Sequence, residues 1–464
     1  SIYVGRLESS TSSHKTISVA NNKLIGSVTF DDPSNIENAL TNKSEIKWNN
    51  FSVDERSKVL QDIANHIEKE PNQLIFYLIN EAGKTIQNAI DEIREAIDFL
   101  RYYSQQINEI MSNNELEGPT GEKNNISYSD KGRFLCISPW NFPVAILIGQ
   151  ISAALACGNN VLIKPSEHTS ILGYLIVKIF HKYGVPVEAL QLILGDGMYG
   201  ELLTKIKPLN GVAFTGSLNT AKKIQSSLIK NQKEIIPLIA ETGGINAMIV
   251  DSSALLEQVT DDVIRSAFDS AGQRCSALRV LCIQEEIYEE LTEMIKGSMV
   301  IQEINDPNNF STDIGPIINK NALKKLNDYI SNCKESNLKV FQCESDFLET
   351  HVPPTLIEID SISQIEEEQF GPVLHVLKYK FNEIDKTINQ INESGYGLTM
   401  GIHSRIESRA DFISSESNIG NIYINRDMVG AVVGSQPFGG IGLSGSGFKA
   451  GGPNYLLQFL NEKV

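Results

Sequence analysis

The sequence predicts an α/β fold, and two observations lead to this prediction. From about residue 160 onwards, short apolar runs bounded by turn residues alternate with amphipathic helical stretches, which is the pattern of a mostly parallel sheet covered by helices. The 464 residues, of which 41% are hydrophobic, are enough chain for two or three domains and a large buried core.

The first third of the chain has the periodicity of helices. Apolar side chains recur at helical spacing in 53–69, and the pattern returns in 91–103. The polar, Asn-rich stretch 112–131 separates these helices from the rest of the chain. Its composition predicts a loop or a protruding hairpin.

Buried strands and helices are predicted to alternate in the part that follows. A strand at 161–164 precedes a helix at 169–183, which ends at Gly184, and a second helix is predicted at 218–230. Further buried strands are predicted at 191–194, 212–214, 235–239 and 247–250. The alternation resumes beyond residue 250 and predicts a second α/β domain. Because ligands bind at the carboxyl ends of parallel strands, the residues that follow these strands are the candidates for function.

Charge and cysteine content narrow the classes of function. Lys and Arg number 40 against 57 Asp and Glu, a formal net charge of −17, which disfavours binding to nucleic acids and anionic membranes. The six cysteines form no CxxC pair and the seven histidines are scattered singly, so we expect a reducing compartment, no disulfide framework and no protein-bound metal.

No targeting or membrane-spanning segment is visible, and we expect a cytoplasmic protein. The chain begins with Ser1 rather than Met, as a piece of a longer protein would.

Three residues suited to nucleophilic catalysis occur in separate motifs. Cys275 lies in GQRCS, Glu241 ends a predicted strand in AETGG, and Asn141 lies between two prolines in SPWNFP. A thiol needs a nearby base, because its ordinary pKa of about 8.5 leaves it protonated at neutral pH. Glu241 is a candidate for a base and the Asn141 amide for a donor to an oxyanion. Each has an ordinary alternative, namely a buried small side chain, a surface carboxylate at a turn and an amide bonded within its own turn.

Other motifs suggest a dinucleotide site. Lys164 and Glu167 follow a predicted strand directly, and Gly216 and Ser217 lie where a strand ends and a helix begins, so that main-chain N–H groups there would face a pyrophosphate. The motif EEQFGP, which begins before Glu368, adds a carboxylate for ribose hydroxyls and an aromatic wall for a flat ring. The alternatives are a solvated charge pair, a helix cap and a structural turn.

In their order and spacing, these motifs resemble those of the aldehyde dehydrogenase superfamily. The resemblance runs from about residue 20 to the C-terminus and is carried by SPWNFP, KPSE, FTGS, ETGG, GQRC and EEQFGP. A narrower resemblance, to the aldehyde-oxidising domain of the bacterial proline utilization A proteins, is carried by the segments 81–103, 240–255, 270–280, 395–405 and 430–456. In that group the domain is a Δ1-pyrroline-5-carboxylate (L-glutamate γ-semialdehyde) dehydrogenase.

The resemblance implies an aldehyde-dehydrogenase-like fold with three parts. We expect a Rossmann-type NAD-binding domain at 1–111 and 132–243, and an α/β catalytic domain at 244–454. The segment 112–131, together with the C-terminal tail 455–464, is implied to form a protruding oligomerisation hairpin. A homodimer is therefore expected.

The resemblance also implies roles for the motif residues. Cys275 attacks the aldehyde, Asn141 and the Cys275 N–H stabilise the oxyanion, and Glu241 activates the water that hydrolyses the thioester. The residues implied to bind NAD are Lys164, Glu167, Gly216, Ser217, Glu368, Phe370 and Trp140. The charge of Glu167 would repel a 2′-phosphate, which favours NAD over NADP.

The substrate implied by the narrower resemblance is L-glutamate γ-semialdehyde, a small molecule oxidised to L-glutamate in proline catabolism. The residues implied to bind its carboxylate are Gly430, Ala431 and Ser276, and those implied to wall its aliphatic part are Phe142, Phe268 and Phe438. Arg274 is not expected to be the carboxylate ligand.

Two positions depart from the family pattern, and two alternatives for the function stay open. Leu218 replaces the usual hydroxyl residue and Ala221 stands where many relatives carry Gly, so the pose of the cofactor is open. The alternatives are a dehydrogenase for another carboxylated aldehyde such as succinic semialdehyde, and a non-enzymatic scaffold with the same fold. Fusion to a proline dehydrogenase domain in the native protein is also left open.

Overall fold

The structure is a computed structural model, and it describes residues 13–30, 48–112, 115–347, 349–430 and 432–464. Within these residues the chain is a mixed α/β protein with two mainly parallel sheets, as the sequence predicts. No helix in the described ranges is both long and apolar enough to cross a membrane.

The N-terminal part is a strand pair followed by helices. Strands β1 (Ser13–Ile17) and β2 (Leu24–Thr29) pair antiparallel. Three helices follow at Val53–Lys69, Asn72–Asn80 and Ile86–Ser112. The first has the predicted bounds and begins at Ser52, whose hydroxyl and Glu55 form a capping box. The second predicted helix, 91–103, is the middle of the longest one, because its exposed polar face continues the helix beyond the apolar repeat.

The first sheet consists of five parallel strands in the order β10-β9-β6-β7-β8. Before it, short strands β3 (Glu115–Leu116) and β4 (Asn124–Asn125) pair with each other, and β5 (Ser127–Asp130) follows. The strands of the first sheet are β6 (Arg133–Ile137), β7 (Asn160–Lys164), β8 (Leu190–Leu192), β9 (Gly211–Thr215) and β10 (Leu238–Glu241). The helices that flank them are Ala145–Ala156, Ser170–Lys182, Gly197–Leu203 and Leu218–Asn231.

One predicted strand of this sheet is displaced. The apolar run 235–239 predicts a strand that starts at Ile235, whereas β10 starts at Leu238. Leu238 pairs with Val212 of β9, and Ile235 is fully exposed. The register of the neighbouring strand therefore decides where β10 begins, and the local apolar pattern does not.

The second sheet has seven strands in the order β13-β14-β15-β12-β11-β17-β18, all parallel except β13. They are β11 (Ala247–Val250), β12 (Val280–Gln284), β13 (Val340–Gln342), β14 (Thr355–Ile359), β15 (Val373–Tyr379), β17 (Thr399–His403) and β18 (Asn421–Ile424). The short β16 (Tyr396–Gly397) pairs with β19 (Ile441–Gly442). The helices of this part are Leu256–Phe268, Tyr288–Val300, Lys320–Glu335, Ile384–Glu393 and Glu407–Glu416.

Short 3₁₀ turns complete the described secondary structure. They lie at Trp48–Asn50, Glu167–Thr169, Asp269–Gly272, Glu285–Ile287, Ile362–Gln364, Phe381–Glu383 and Tyr455–Phe459. The final strand, β20 (Leu460–Lys463), pairs antiparallel with β5. This places the C-terminal tail beside the end of the segment 112–131, and its role in an oligomerisation hairpin stays a prediction.

The two sheets have separate hydrophobic cores. One face of the first sheet packs against the N-terminal helices and the helix 145–156, and its other face has a smaller core. The second sheet packs into a core of its own. The two sheets occupy 133–241 and 247–424, so the proposed boundary at residue 243 falls between them, and the assignment of the three parts to functions stays a prediction.

Candidate active site

A strained turn places Cys275 in the space between the two sheets. We call residues 269–274 the nucleophile turn; they follow the helix Leu256–Phe268. Ser270, Ala271 and Gly272 all have left-handed backbones, with φ of 54°, 54° and 64°. For residues with a side chain this conformation costs roughly 1–2 kcal/mol each, so other contacts have to hold the turn.

Buried polar groups supply those contacts. The carboxylate of Asp269 accepts hydrogen bonds from Asn88 Nδ2 at 2.7 Å and from Arg274 Nη2 at 2.7 Å. The Ser270 hydroxyl donates to Asn88 Oδ1 at 2.6 Å. Arg274 holds the pKa of Asp269 below its usual range despite burial, which opposes this effect. The long helix that contains Asn88 thus fixes the shape of the nucleophile turn.

The Cys275 thiol is protonated at neutral pH. Burial raises its pKa to about 12, and the negative charges of Glu368 and Glu241 add to the effect, while the Ser276 N–H opposes it. Asn246 Nδ2 donates to the Cys275 carbonyl at 2.7 Å, so the residue is held through its main chain. A reaction of this sulfur with an electrophile needs a group that removes the thiol proton.

The side chain of Asn141 is fixed against the nucleophile turn. Asn141 is buried, and its Nδ2 donates one hydrogen to the Gln273 carbonyl at 3.2 Å. The second Nδ2 hydrogen has no partner within the described ranges, and neither has the main-chain N–H of Cys275. Two donors near one sulfur are the requirement for an oxyanion hole.

Glu241 carries a carboxylate oxygen without a hydrogen bond. It ends β10, and its Oε2 accepts from the Gly440 N–H at 3.1 Å. Its Oε1 is buried without a hydrogen-bond partner among the described residues. Burial raises the pKa of Glu241 to about 8, against the opposing effects of Gly440 and Lys449. The group is therefore suited to accept a proton near neutral pH.

Two cavities meet at Cys275, which lines both of them. The first cavity is also lined by Glu241, Ser276, Gly430, Phe142, Phe438, Arg274 and Glu95. The second cavity is also lined by Asn141, Trp140, Gly216, Ser217, Glu368 and Phe370. The structure thus brings the three catalytic candidates together, with most of the predicted substrate residues on one side and most of the predicted cofactor residues on the other.

The second cavity fits one end of a dinucleotide. The first residues of the helix Leu218–Asn231 line it, and a helix N-terminus favours a phosphate. Trp140 and Phe370 pack edge to face with ring centroids 5.6 Å apart and form an aromatic wall. Leu218 lines the cavity and Ala221 is buried in the core of the first sheet. Neither departure from the family pattern closes the cavity.

Lys164 and Glu167 lie apart from the other predicted cofactor residues. Lys164 ends β7 and does not line the second cavity; its buried Nζ lies 4.0 Å from the Glu167 carboxylate. Both Lys164 and Phe214 pair with Ile137, which lies on the strand between them. Two strand spacings separate them, roughly 10 Å. The pair is on the same edge of the sheet, at a distance that suits the far end of a dinucleotide.

The predicted substrate residues divide into three groups. Phe142, Phe438, Ser276 and Gly430 line the first cavity. Phe268 does not: it is 1% exposed and packs in the core of the second sheet, because it lies on the buried face of its helix. Ala431 lies outside the described residues.

Sequence reasoning missed three residues at the site. Glu95 lines the first cavity, and burial together with the charge of Glu92 raises its pKa to about 7. Asn246 and Arg279 donate to the main chain around Cys275. The only sequence indication of Glu95 is a carboxylate in an amphipathic helix, where a solvated face is the ordinary interpretation. The sequence indication of Arg279 is that a charged residue lies inside an apolar run shortly after the GQRC motif.

The fold and the site define a family. A cysteine can serve as a nucleophile, an amide as a donor to an oxyanion and a buried carboxylate as a base. Together with a cavity that fits a dinucleotide, these groups suit the oxidation of an aldehyde. The family model described as the aldehyde dehydrogenase family matches residues 7–464. The chain belongs to the aldehyde dehydrogenase family, which implies an enzyme with a nicotinamide cofactor.

Particular relatives narrow the comparison. The bifunctional protein PutA of Klebsiella aerogenes is 46% identical over 455 residues, which are 95% of this chain and 34% of that protein. The 1-pyrroline-5-carboxylate dehydrogenase of Oceanobacillus iheyensis is 33% identical over 452 residues, which are 96% of this chain and 87% of the relative. The solved 1-pyrroline-5-carboxylate dehydrogenase of Thermus thermophilus is similar with a TM-score of 0.92 at 29% identity, covering 99% of this chain and 91% of that one. The chain spans about a third of the length of the PutA relatives it matches.

Proposed function

We propose that the chain catalyses the NAD-dependent oxidation of L-glutamate γ-semialdehyde, formed from Δ1-pyrroline-5-carboxylate, to L-glutamate. This is the second step of proline catabolism. The relatives named 1-pyrroline-5-carboxylate dehydrogenase support the substrate. The observation that carries the proposal is the position of Cys275 where the two cavities meet, with Asn141 and Glu241 beside it.

The second cavity and the edge of the first sheet would hold the cofactor. NAD, when bound, accepts a hydride from the carbon that carries the aldehyde hydrogen. Gly216 and Ser217 would face its pyrophosphate, and Glu368 and Phe370 its nicotinamide ribose and ring. The remaining residues proposed to bind it are Trp140 beside the ring, and Lys164 and Glu167 at the adenosine ribose. A carboxylate at that ribose repels a 2′-phosphate, which favours NAD over NADP.

The first chemical step joins Cys275 to the aldehyde carbon. Glu241 accepts the thiol proton, the sulfur attacks the carbonyl carbon, and the carbonyl oxygen becomes an oxyanion. The free Nδ2 hydrogen of Asn141 and the Cys275 N–H donate to that oxygen and stabilise the thiohemiacetal. Loss of the hydride then leaves a thioester on Cys275.

The second step releases the acid. Glu241 first releases the thiol proton to solvent and then, as a carboxylate again, accepts a proton from a water molecule, which attacks the thioester carbon. The carbon–sulfur bond breaks, the product leaves as a carboxylate and the Cys275 sulfur regains its proton. The free Oε1 of Glu241 is the acceptor in both steps.

The first cavity offers partners for the other end of the substrate. Gly430 lines this cavity with a φ of 84°, and a Cβ there would meet no atom within 4 Å. We propose that its main chain binds the α-carboxylate together with Ala431 and the Ser276 hydroxyl. Glu95 is a carboxylate that suits the α-ammonium group. Two rings in the lining, those of Phe142 and Phe438, would pack on the aliphatic part.

The test is a comparison of substrates on the purified protein. With NAD present, pyrroline-5-carboxylate should give the reduced cofactor at a rate far above that with succinic semialdehyde. A Cys275→Ala variant should give none, whereas equal rates for both proteins would refute the mechanism. Faster oxidation of succinic semialdehyde would favour a dehydrogenase for another carboxylated aldehyde. No oxidation of either aldehyde would favour a non-enzymatic scaffold with the same fold.

We propose further that the protein is a cytoplasmic homodimer and that it works as part of a longer chain. The pairing of β5 with β20 gives a two-stranded ribbon on which a partner subunit could pair. The length and name of the bifunctional PutA relatives support fusion to a proline dehydrogenase domain. Light scattering of the purified chain tests the dimer, and the sequence of the reading frame around the chain tests the fusion.

A further inference from the structure

Arg279 joins the nucleophile turn to the loop that carries Glu368. We call residues 366–372 the Glu368 loop. Arg279 Nη1 donates to the carbonyls of Gly272 at 2.8 Å and Gly371 at 3.2 Å. Its Nη2 donates to the carbonyl of Arg274 at 3.0 Å and to Glu368 Oε1 at 2.9 Å. Each terminal nitrogen thus gives one hydrogen bond to the nucleophile turn and one to the Glu368 loop.

We propose that Arg279 is a positioning residue that couples the cofactor cavity to the nucleophile. Arg279 makes two hydrogen bonds to each loop. The position of the Cys275 main chain therefore depends on the position of the Glu368 carboxylate, and a shift of the nucleophile turn affects Glu368 in the same way. The proposal rests on the proposed function, since it takes Cys275 as the nucleophile and Glu368 as a cofactor ligand. It adds a residue that touches neither substrate nor cofactor.

The backbone of Arg279 is itself fixed, so the guanidinium is a rigid connection. Its N–H donates to the Asn246 carbonyl at 2.9 Å. Its carbonyl accepts from the His375 N–H at 2.9 Å and from His375 Nδ1 at 3.0 Å. Tyr329 OH lies 2.8 Å from His375 Nε2, where it donates to the ring nitrogen that carries no proton. The side chain of Arg279 is 1% exposed, so water does not replace these bonds.

The two loops also touch without the arginine. A Cβ at Gly272 would lie 2.2 Å from the Gly371 carbonyl oxygen, so the backbones are in direct contact there. On the far side of the Glu368 loop, a Cβ at Gly243 would lie 1.8 Å from Glu368 Oε2. The carboxylate is therefore confined between Gly243 and the guanidinium. A movement of Glu368 on binding a ribose would be passed to the nucleophile turn.

Lysine cannot make this connection. A lysine ammonium donates from one nitrogen, whereas the four acceptors are served by two nitrogens of a planar fork. Arg279→Lys keeps the positive charge beside Glu368 and removes the fork. The matched control is Arg409→Lys, because Arg409 is also mostly buried and stacks on a ring, with its guanidinium carbon 4.4 Å from the Phe381 centroid, but it lines neither cavity.

The first measurement uses the protein without cofactor. The rate at which iodoacetamide alkylates Cys275, followed by mass spectrometry, should change at least about threefold in Arg279→Lys and remain unchanged in Arg409→Lys. An unchanged rate in Arg279→Lys overturns the proposal. If that variant does not fold, Arg279→Gln replaces it: its one amide nitrogen has two hydrogens for the four acceptors, so the rate should also change, and an unchanged rate overturns the proposal.

The second measurement tests the coupling with ADP-ribose, which carries both riboses and lacks the nicotinamide ring. Calorimetry should show binding weakened about tenfold by Arg279→Lys and by Glu368→Gln, and no further weakening in the double variant. Independent effects, which multiply to about a hundredfold, overturn the coupling. Unchanged binding in Glu368→Gln alone contradicts the cofactor role in the proposed function, and the alkylation rates then decide on Arg279 by themselves.

Discussion

Replacing Glu241 by glutamine should separate the two halves of the proposed reaction. Glutamine keeps the shape of the side chain and can still accept the Gly440 N–H, but it cannot take a proton. Both proton transfers that Glu241 is proposed to make should slow. Hydrolysis should suffer more, because water, with a pKa of about 15.7, is a weaker acid than the thiol. A general base contributes about 10²–10⁴ in rate, which sets the expected loss in steady-state turnover.

The raised pKa of Glu241 gives the same prediction a pH dependence. Only the ionised carboxylate accepts a proton, and its pKa is about 8. Roughly a tenth of the molecules are ionised at pH 7 and about a hundredth at pH 6. The steady-state rate of the unsubstituted protein should therefore rise about tenfold between pH 6 and pH 7 and level off above pH 8.

Rapid mixing with NAD and pyrroline-5-carboxylate checks both statements. Glu241→Gln should give a burst of at most one reduced cofactor per subunit, followed by a much slower steady state without the pH dependence. Mass spectrometry of the quenched variant should find the acyl group on Cys275. Wild-type turnover in the variant, or a rate of the unsubstituted protein that is flat from pH 6 to pH 9, would refute the reasoning.

Three further predictions concern the other residues of the site. Asn141→Ala should lower kcat by about 10²–10³, corresponding to the 2.7–4 kcal/mol of one oxyanion donor, with an unchanged circular dichroism spectrum; a smaller loss would remove Asn141 from the oxyanion hole. Alkylation of Cys275 in the cofactor-free protein should rise about tenfold per pH unit between pH 7 and pH 10, because burial and nearby carboxylates raise its pKa to about 12, and a plateau near pH 8 would contradict this. Gly430→Ala adds a methyl at a φ of 84°, a strain of roughly 1–2 kcal/mol, and should raise the KM for the semialdehyde with little effect on that for NAD; the opposite pattern in initial rates would place Gly430 elsewhere.

Much of the fold could be predicted from local patterns. The helix Val53–Lys69 and the strand Ala247–Val250 have the predicted bounds, because the capping residues and the apolar run that define them are contiguous. The start of β10 was wrong by three residues. Its register depends on β9, whose paired residues lie 26 positions earlier in the chain (Leu238 with Val212), and the local apolar pattern contains no information on that pairing.

The candidate site shows the same division. The motifs of Cys275, Asn141 and Glu241 are recognisable because each is a short contiguous segment. The resemblance implies that Phe268 lines the substrate cavity, but its ring packs in the core of the second sheet. A resemblance between motifs does not say which way a side chain near Cys275 faces.

The sequence by itself determined the α/β fold class and the family, and it predicted Cys275, Asn141 and Glu241 as the catalytic candidates. Only the tertiary structure decided that the thiol lies where two cavities meet, and that Glu95 and Arg279 belong to the site. The bond between Arg279 and Glu368 spans 89 residues of chain. Hydrogen bonds over such separations depend on which strands become neighbours in a sheet, here β12 and β15, and they leave no periodicity or spacing in the sequence.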